Sequence, residues 1–329
     1  MLSLLHSAVV DDAGKLRREF LANQPFRHVV IEPFLDPELC AQLIAEFPQF
    51  DQNHAVNEHG QLGRHAVHSD LARLGKAYTQ FDRLMSDRDF LALMGRITDI
   101  PDVLYDPEYI GGGTHENLDG EELDTHVDFN YHPRTHFHRR LNLIVFLNPE
   151  WEKPWGGCLE LMRDPFESCS ESRKEFVPIA NRAVIFETTE ASWHGFQRIR
   201  IPEGKGTSRK SIAVYFYSKE RPAANTAASH ATFYYSRPLP EHLQPGHTLS
   251  EEDVGELRNL LVRRDKQLQF LYQRELEFSE SLETSSKALA GLDETVASIL
   301  GSASFKLGRA LTWPVRRLKS QAGKPGKRD

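Results

Sequence analysis

The sequence predicts an α+β protein whose core consists of short antiparallel β-strands, and three observations lead to this class. Residues 20–100 combine one alternating apolar run with several amphipathic helical stretches. Residues 103–218 contain short apolar runs separated by turn residues, a spacing typical of a β-sandwich or barrel. Residues 251–300 repeat apolar residues with heptad spacing, which predicts a C-terminal coiled-coil helix.

Length and composition leave room for one sizeable core and a further element. The chain has 329 residues, of which 40% are hydrophobic. No run approaches the roughly eighteen apolar residues that a membrane span needs, and the N-terminus lacks the features of a signal peptide. Cys40, Cys158 and Cys169 show no metal or disulfide spacing. These features predict a soluble, cytoplasmic protein.

The N-terminal helices carry recognisable start signals. FRHVVIEPF alternates like a first strand, and Asp36 followed by Pro37 predicts the start of the next helix. Ser86 and Asp87 suit an N-cap between two further helical stretches. Residues 49–68 contain several histidines and little periodicity, so they predict an irregular loop with solvated histidines, suited to act as a lid.

Eight apolar runs are the predicted strands of the core. Turn residues such as Gly112-Gly113 and Gly156-Gly157 separate them. In chain order they are VLYDPEYIG, LDTHVDF, RRLNLIVFLN, GCLELM, KEFVPI, RAVIFET, WHGFQRI and KSIAVYFYS.

Three residues among these strands form a candidate metal site. His126 and Asp128 stand two positions apart in a predicted strand, so their side chains share a face, and His194 lies in another strand. Two imidazoles and one carboxylate leave further coordination positions open, which suits non-haem Fe(II) oxygen chemistry. A second His-x-Asp, His68 with Asp70, leads into a helical pattern, and this context favours His126.

Arg209 begins the last apolar run, fifteen residues after His194. An arginine stays charged when it is buried and binds a carboxylate in bidentate fashion. An iron site with such an anchor nearby predicts a keto-acid co-substrate.

At this point the chain resembles the Fe(II)/2-oxoglutarate dioxygenases of the prolyl 4-hydroxylase type, over about residues 20–235. The resemblance implies a double-stranded β-helix, the cupin-like jelly roll, which suits a site built from separate strands. It rests on PFRHVVIEPFLDPELCAQLIAEFP, HVDFNYHPRTHFHRRLNLIVFLNPEW, GGCLELMRD, FVPIANRAVIFETTEASWHGFQ and SRKSIAVYFYS.

The resemblance also implies roles for individual residues. Arg209 matches the residue that pairs with the distal carboxylate of 2-oxoglutarate, and Ser211 matches a second hydrogen-bond donor to it. Some prolyl hydroxylases have a tyrosine just before the Leu-Asn, where this chain has Phe146, and Asn142 offers a polar contact instead. The iron ligands match the candidate metal site, His126, Asp128 and His194.

The reaction implied is hydroxylation with O2, coupled to decarboxylation of 2-oxoglutarate to succinate and CO2. The ligating carboxylate of Asp128 argues against the halogenating branch, in which that position is small. The substrate stays open between a small molecule, a glycan and a peptidyl group. The alternative is a coiled-coil scaffold or spacer protein with a non-catalytic metal-binding jelly-roll head, against which Arg209 and the intact triad argue.

The domain organisation follows from changes in composition. Residues 1–222 form the predicted oxygenase domain with its N-terminal helices, and the Pro-, Ala- and Ser-rich residues 223–250 form a linker. In the coiled coil over 251–300, eleven of fourteen core positions are apolar, which predicts a homo-oligomer; a helix folded back on the oxygenase is the alternative.

Residues 301–329 form a basic amphipathic tail. They contain eight Lys or Arg and a single Asp among apolar residues, although the whole chain has a net charge of −7. Such a tail suits docking on a partner protein or on an anionic membrane, so we expect a peripheral location at the inner face of the membrane as one alternative. Because the rest of the chain is acidic, we expect no nucleic-acid binding.

Overall fold

Helices and antiparallel strands build the N-terminal part of the chain in the computed structural model, which confirms the α+β class. The structure describes residues 1–55, 64–165, 173–235, 239–240 and 242–322. His59, Cys169 and the last seven residues of the predicted tail lie outside this part. The chain forms two compact units, Met1–Thr248 and Leu249–Asp329.

The described residues of the first unit contain five α-helices, and two of them begin at start signals that were predicted from the sequence. Asp36 accepts hydrogen bonds from the backbone amides of Glu38 and Leu39 and so caps the helix that begins at Pro37. Asp87 caps the last of the five helices in the same way. The helices are α1 (Ser7–Asp11), α2 (Ala13–Ala22), α3 (Pro37–Ala45), α4 (Lys76–Met85) and α5 (Arg88–Thr98).

Twelve strands of the described residues form two antiparallel sheets. In chain order they are β1 (His28–Ile31), β2 (His65–His68), β3 (Leu104–Tyr105), β4 (Gly113–Asn117), β5 (Leu123–Val127), β6 (His138–Phe146), β7 (Leu159–Met162), β8 (Arg173–Phe176), β9 (Ala183–Glu187), β10 (Trp193–Phe196), β11 (Arg209–Ser218) and β12 (Phe233–Tyr234). The larger sheet has the order β1-β9-β6-β11-β4-β2, with β3 also paired to β11. The smaller sheet has the order β12-β5-β10-β7-β8.

Each face of the larger sheet packs against a different layer. Its outer face meets the helices, through strand residues such as Leu143, Ile185 and Val214. Its inner face meets the smaller sheet in an apolar cluster that contains Phe146 from one sheet and Leu161 from the other. Alternate residues of each central strand therefore point into the space between the sheets.

Three strands were not predicted from the sequence. The irregular loop expected over residues 49–68 is wrong at its end, where His65–His68 form β2, and β4 was not predicted at all. Both segments are short and polar, so their strand conformation comes from pairing: β2 pairs with β4, and β4 pairs with the central strand β11. Within the predicted linker over 223–250, Phe233–Tyr234 form β12 and pair with β5.

The second unit consists of two helices, α6 (Glu251–Gly301) and α7 (Ala303–Ala322). Ser250 and Asp253 form a reciprocal capping box at the start of α6. Most of the large apolar side chains along α6 from Leu261 onward are exposed, for example Leu282 at 74%. None of the described helices combines the length and hydropathy that a membrane span requires.

Candidate active site

The structure brings the three residues of the candidate metal site together. His126 lies on β5 opposite His194 on β10, and Asp128 follows β5 directly. Nε2 of His126 is 3.6 Å from Oδ1 of Asp128, and Nε2 of His194 is 3.4 Å from Oδ2. The cluster is buried, and its donor atoms all lie within 4.8 Å of one another. Because both histidines sit at one register position, pairing of β5 with β10 assembles the cluster.

Hydrogen bonds to the backbone orient both imidazoles. Nδ1 of His126 lies 2.8 Å from the carbonyl oxygen of Asp124, and Nδ1 of His194 lies 2.9 Å from that of Ser192. A carbonyl oxygen only accepts, so each Nδ1 carries the proton and each Nε2 presents its lone pair to the cluster. Burial lowers the pKa of both rings, that of His126 to about 4, which keeps them neutral near pH 7.

Asp128 stays ionised because it has a charged partner. Its Oδ2 forms an ion pair with the Arg139 guanidinium at 3.0 Å and accepts a hydrogen bond from the Asn142 amide at 2.8 Å. Burial alone raises the pKa of this carboxyl, but the charge of Arg139 and the two nearby imidazoles hold it well below its usual range. The Asn142 oxygen accepts from Arg139, so this predicted co-substrate contact is engaged with Asp128 and Arg139.

Arg139 was not predicted from the sequence as a site residue. It is only 1% exposed and lies between two rings, 3.5 Å from the centroid of Tyr215 and 4.5 Å from that of Phe129. The signal for it was a charged residue at the head of an otherwise apolar central strand. Such a residue needs a buried counter-charge, and Asp128 supplies it.

Arg209 is buried without a counter-charge among the described residues. It is 4% exposed, and its guanidinium stacks near the rings of Phe146 and Phe196, 5.2 and 4.3 Å from their centroids. Its Nε donates to the Gly157 carbonyl at 2.7 Å, and no carboxylate of the described chain lies within 4 Å. Burial lowers its pKa to about 10. A side chain held in this way can bind an anionic group that enters between the sheets.

Ser211 and Phe146 lie on the same inner face as Arg209. Ser211 is buried, two residues along β11, and is directly opposite Phe146 on β6. The side chain of Phe146 has no hydrogen-bonding group. The polar side chains at this end of the site therefore lie on β11 and on β4, the other strand that pairs with β11.

Two histidines beside Arg209 were also missed by the sequence analysis. His65 on β2 was predicted to be a solvated loop residue, which is wrong, and His115 lies on the unpredicted strand β4. Their rings are stacked with centroids 5.1 Å apart, and His65 Nε2 lies 2.9 Å from His115 Nδ1. Because both strands were missed, the sequence alone gave no reason to put these rings near β11.

Another group of possible metal ligands consists of His132, Asp106 and Glu108, and His132 bonds to the backbone of its own loop. His132 is buried, and its Nδ1 accepts from the backbone amides of Arg134 and Thr135. The proton is therefore on Nε2, which lies 3.5 Å from a carboxylate oxygen of Asp106. Glu108 completes this group, but no imidazole lone pair faces its carboxylates.

The chain is similar by sequence to a family model and to a curated protein. Residues 113–217 match the family model of the 2OG-Fe(II) oxygenase superfamily. The chain is 29% identical over 120 residues to the prolyl 3-hydroxylase OGFOD1 of Mus musculus; the match covers 36% of this chain and 20% of that relative, so it spans a fifth of the relative's length.

Solved structures are also similar at low sequence identity, among them the following two. One is a Pseudomonas putida prolyl-4-hydroxylase, with 18% identity and a TM-score of 0.42, covering 62% of this chain and 98% of the other. The other is HygX from Streptomyces hygroscopicus with nickel, 2-oxoglutarate and hygromycin B bound, with 12% identity and a TM-score of 0.40, covering 62% and 91%.

Proposed function

Residues 113–217 belong to the 2OG-Fe(II) oxygenase superfamily, and on that premise we propose that the chain is an Fe(II)- and 2-oxoglutarate-dependent dioxygenase of the prolyl 4-hydroxylase type. One observation carries the proposal: a buried His-Asp-His cluster shares the inter-sheet space of one domain with the guanidinium of Arg209, which has no carboxylate partner among the described residues. A metal site alone does not require a second buried cation. A co-substrate with a carboxylate at its far end does.

The donor atoms of the cluster fit Fe(II). Two neutral imidazoles and one ionised carboxylate are the ligand set that non-haem iron oxygenases use, and they occupy only part of the coordination sphere. We therefore propose His126, Asp128 and His194 as the ligands. The ion pair with Arg139 and the hydrogen bond from Asn142 both reach one oxygen of Asp128 and limit its rotation, as supporting contacts around a metal commonly do.

Arg209 and Ser211 would hold the distal carboxylate of 2-oxoglutarate. The guanidinium supplies the charge, and the hydroxyl, two residues further on the same face of β11, supplies a hydrogen bond. We propose that Asn142 acts through Asp128, because its amide nitrogen and its oxygen both have partners in the cluster.

The protein contributes position and exclusion of water to the reaction. Bound Fe(II) and 2-oxoglutarate supply the oxidative chemistry, in which O2 hydroxylates a C–H bond while 2-oxoglutarate becomes succinate and CO2. The backbone carbonyls behind His126 and His194 keep both Nε2 atoms aimed at one point. Phe146 and Phe186 line the apolar space beside the cluster, and the Tyr234 ring lies 5.2 Å from that of His126.

Anaerobic binding of Fe(II) and 2-oxoglutarate tests the proposal, followed by succinate release when O2 is added. We expect a weak charge-transfer absorption band in the wild type and none in His126→Ala. Arg209→Met should need a much higher 2-oxoglutarate concentration to develop the same band, because the buried cation is gone.

His28→Ala is the matched control for His126→Ala. His28 is also buried, with Nδ1 2.8 Å from the Phe26 carbonyl oxygen, but it lies on β1 outside the cluster. It should bind both compounds like the wild type. If metal-loaded wild-type protein gave neither the band nor succinate, the oxygenase proposal would be rejected.

The substrate is proposed only by class. The relative that matches by sequence is named a prolyl 3-hydroxylase, which favours a peptidyl group over a free small molecule or a glycan. The alternative function, a coiled-coil scaffold with a non-catalytic head, is not favoured because it gives the buried charge of Arg209 no role.

Within the α+β class we also propose a specific architecture and domain organisation. Two facing antiparallel sheets support a jelly roll in an oxygenase domain over residues 1–222, followed by the linker 223–250, the coiled coil 251–300 and the tail 301–329. The exposed apolar side chains at heptad positions of α6 support self-association: Leu261, Leu268, Leu271, Phe278, Leu282, Leu289, Leu292, Val296 and Ile299.

Light scattering of full-length variants tests the coiled coil. Leu271→Asp puts a charge in the apolar column and should lower the oligomer mass. Gln273→Asp adds the same charge at an exposed position outside both columns and should leave the mass unchanged. Equal masses for the two variants and the wild type would argue against self-association through α6.

For the tail we propose docking on an anionic membrane from the cytoplasmic side. α7 interleaves apolar residues such as Leu307 and Leu311, which are 66% and 73% exposed, with Lys306 and Arg309. Flotation with anionic vesicles should decrease in Leu311→Glu more than in Ser304→Glu, which changes the charge equally. Absence of wild-type flotation would leave a partner protein as the target.

A further inference from the structure

The feature that the proposed function does not use is the histidine pair on β2 and β4. His115 is directly opposite Ser211 across the β4–β11 ladder, and Arg209 is two residues away on the same face of β11. Opposite positions in an antiparallel pair have Cβ atoms about 5 Å apart, so His115 borders the place where Arg209 and Ser211 face the inter-sheet space. His65 lies on the far side of His115, on the edge strand β2.

The contact between His65 and His115 is one hydrogen bond, so only one of its two nitrogens carries a proton. Burial, with the charge of Arg209 nearby, lowers the pKa of His65 to about 4 and that of His115 well below its usual value, so both rings are neutral near pH 7. In their 2.9 Å contact either His65 Nε2–H donates to His115 Nδ1, or the reverse. In the first case His115 carries its proton on Nε2 and can donate a second hydrogen bond.

Nε2 of His115 is buried and has no hydrogen-bond partner among the residues that the structure describes. A buried polar atom without a hydrogen-bond partner lowers the stability of the folded state. Such atoms are rare unless a ligand or an ordered water supplies the missing hydrogen bond. The charge of Arg209 acts on His115, and this buried arginine has no counter-charge among the described residues either. One carboxylate would satisfy both groups.

The pair does not have the geometry of a second metal site. The two nitrogens that approach each other are 2.9 Å apart, which is a hydrogen-bond distance that leaves no room for an ion between them. The nearest acidic residue on β4, Glu116, points to the opposite face and bonds to Ser208. Donation to an anion is therefore the role that the pair fits.

We propose that His115 donates a hydrogen bond from Nε2 to the same carboxylate that Arg209 binds, and that His65 is a positioning residue that holds His115 in this tautomer. The inference rests on the proposed function, because it takes the distal carboxylate of 2-oxoglutarate as the acceptor. It assigns the selectivity for a dicarboxylate co-substrate to three adjacent strands, β2, β4 and β11, and not to β11 alone.

Anaerobic titration of the Fe(II) protein with two keto acids tests the proposal. The probes are 2-oxoglutarate and 2-oxopentanoate, which has a methyl group in place of the distal carboxylate. In His115→Phe we expect 2-oxoglutarate to bind about tenfold more weakly, the scale of a hydrogen bond to a charged group. The affinity for 2-oxopentanoate should be unchanged, because that probe has no distal carboxylate to lose a bond.

Two further variants separate a hydrogen bond from packing. In His115→Gln the side-chain amide nitrogen takes the place of Nε2 and should restore most of the 2-oxoglutarate affinity. His65→Leu keeps His115 but frees its tautomer, and should weaken 2-oxoglutarate binding selectively and by less than His115→Phe. If His115→Phe does not fold, these two variants decide the matter by themselves. His28→Phe, a buried histidine outside this region, should leave both affinities at wild-type values.

Failure of this inference looks different from failure of the proposed function. Wild-type protein that binds 2-oxoglutarate, together with a His115→Phe variant that binds it equally well, would overturn the role of His115. Equal weakening of both probes would overturn it too, because only packing would then have changed. Wild-type protein that shows no response to 2-oxoglutarate would reject the oxygenase proposal and this inference together.

Discussion

The two buried arginines of the inter-sheet region differ in their charge balance. Arg139 lies 3.0 Å from Asp128 and between two aromatic rings, and the nearby carboxylate raises its pKa against the effect of burial. Arg209 is almost as deeply buried, but among the described residues it has a carbonyl as hydrogen-bond partner and no carboxylate, so burial lowers its pKa to about 10.

The difference indicates which charge belongs to the fold and which to a ligand. A buried ion without a partner costs several kcal/mol, so a fold does not keep one without a use. Arg139 completes a neutral unit with Asp128 in the protein by itself. No carboxylate of the described residues neutralises Arg209, which is the property expected of a site for an anionic co-substrate.

The largest expected effect comes from breaking the balanced pair. Arg139→Met leaves the Asp128 carboxylate buried beside Asn142 and two neutral imidazoles without a cation, and we expect the metal-free protein to lose about 3–5 kcal/mol of unfolding free energy. Urea unfolding at pH 7 in the presence of a chelator measures the change. A divalent ion should recover part of the loss, because it replaces the missing positive charge at Asp128.

An exposed ion pair is the control for that loss. Arg17 and Asp99 are 2.8 Å apart, with both side chains about half exposed. Arg17→Met should cost less than about 1 kcal/mol, because water already solvates both ions. A loss in Arg139→Met as small as that of Arg17→Met would mean that Asp128 does not depend on its buried partner.

The next effect concerns the unbalanced arginine. A ligand that binds only the folded state stabilises it by about 2.7 kcal/mol at one hundred times its dissociation constant. We expect 2-oxoglutarate to stabilise the metal-loaded wild type by this amount in anaerobic thermal unfolding. At the same concentration it should stabilise Arg209→Met far less. Equal stabilisation of both proteins would show that the keto acid binds away from Arg209.

Much of this site was predictable because its residues lie in apolar strands. His126, Asp128 and His194 were predicted from a His-x-Asp motif in β-rich sequence and a histidine in a later strand, and the structure gathers them. Arg209 was predicted from its position at the head of a strand. The resemblance to 2-oxoglutarate oxygenases is confirmed by the match over residues 113–217.

The missed residues lie where pairing with other strands overrides the local pattern. β2 has the sequence HAVH and β4 the sequence GTHEN, and neither has the apolar alternation that marks a strand. They are strands because the backbone of β4 pairs with β11 and the backbone of β2 pairs with β4. Without that pairing, His65 and His115 could not be predicted to lie beside Arg209.

A smaller effect, of opposite sign to that of Arg139→Met, is expected for Arg209→Met without ligand. Replacing an uncompensated buried charge by an apolar side chain of similar length should leave the unfolding free energy unchanged or raise it by about 1 kcal/mol. Urea unfolding under the same conditions measures it. A loss as large as that of Arg139→Met would contradict the comparison, because it would mean that the fold itself depends on this charge.

The smallest effect links Arg209 to the acid sensitivity of the fold. Burial and then the charge of Arg209 lower the pKa of His65 from 6.5 to about 4. Between these pH values His65 is therefore protonated in the unfolded chain and neutral in the folded chain. This contribution to stability is complete above about pH 6.5 and is lost as the pH falls toward 4.

In Arg209→Met the pKa of His65 should rise, so the unfolding free energy should fall less steeply between pH 6.5 and pH 4. The difference should stay below about 1 kcal/mol, because burial, the larger cause, remains. Urea midpoints at several pH values compare the two proteins, and parallel curves would mean that the charge of Arg209 does not reach the histidine pair.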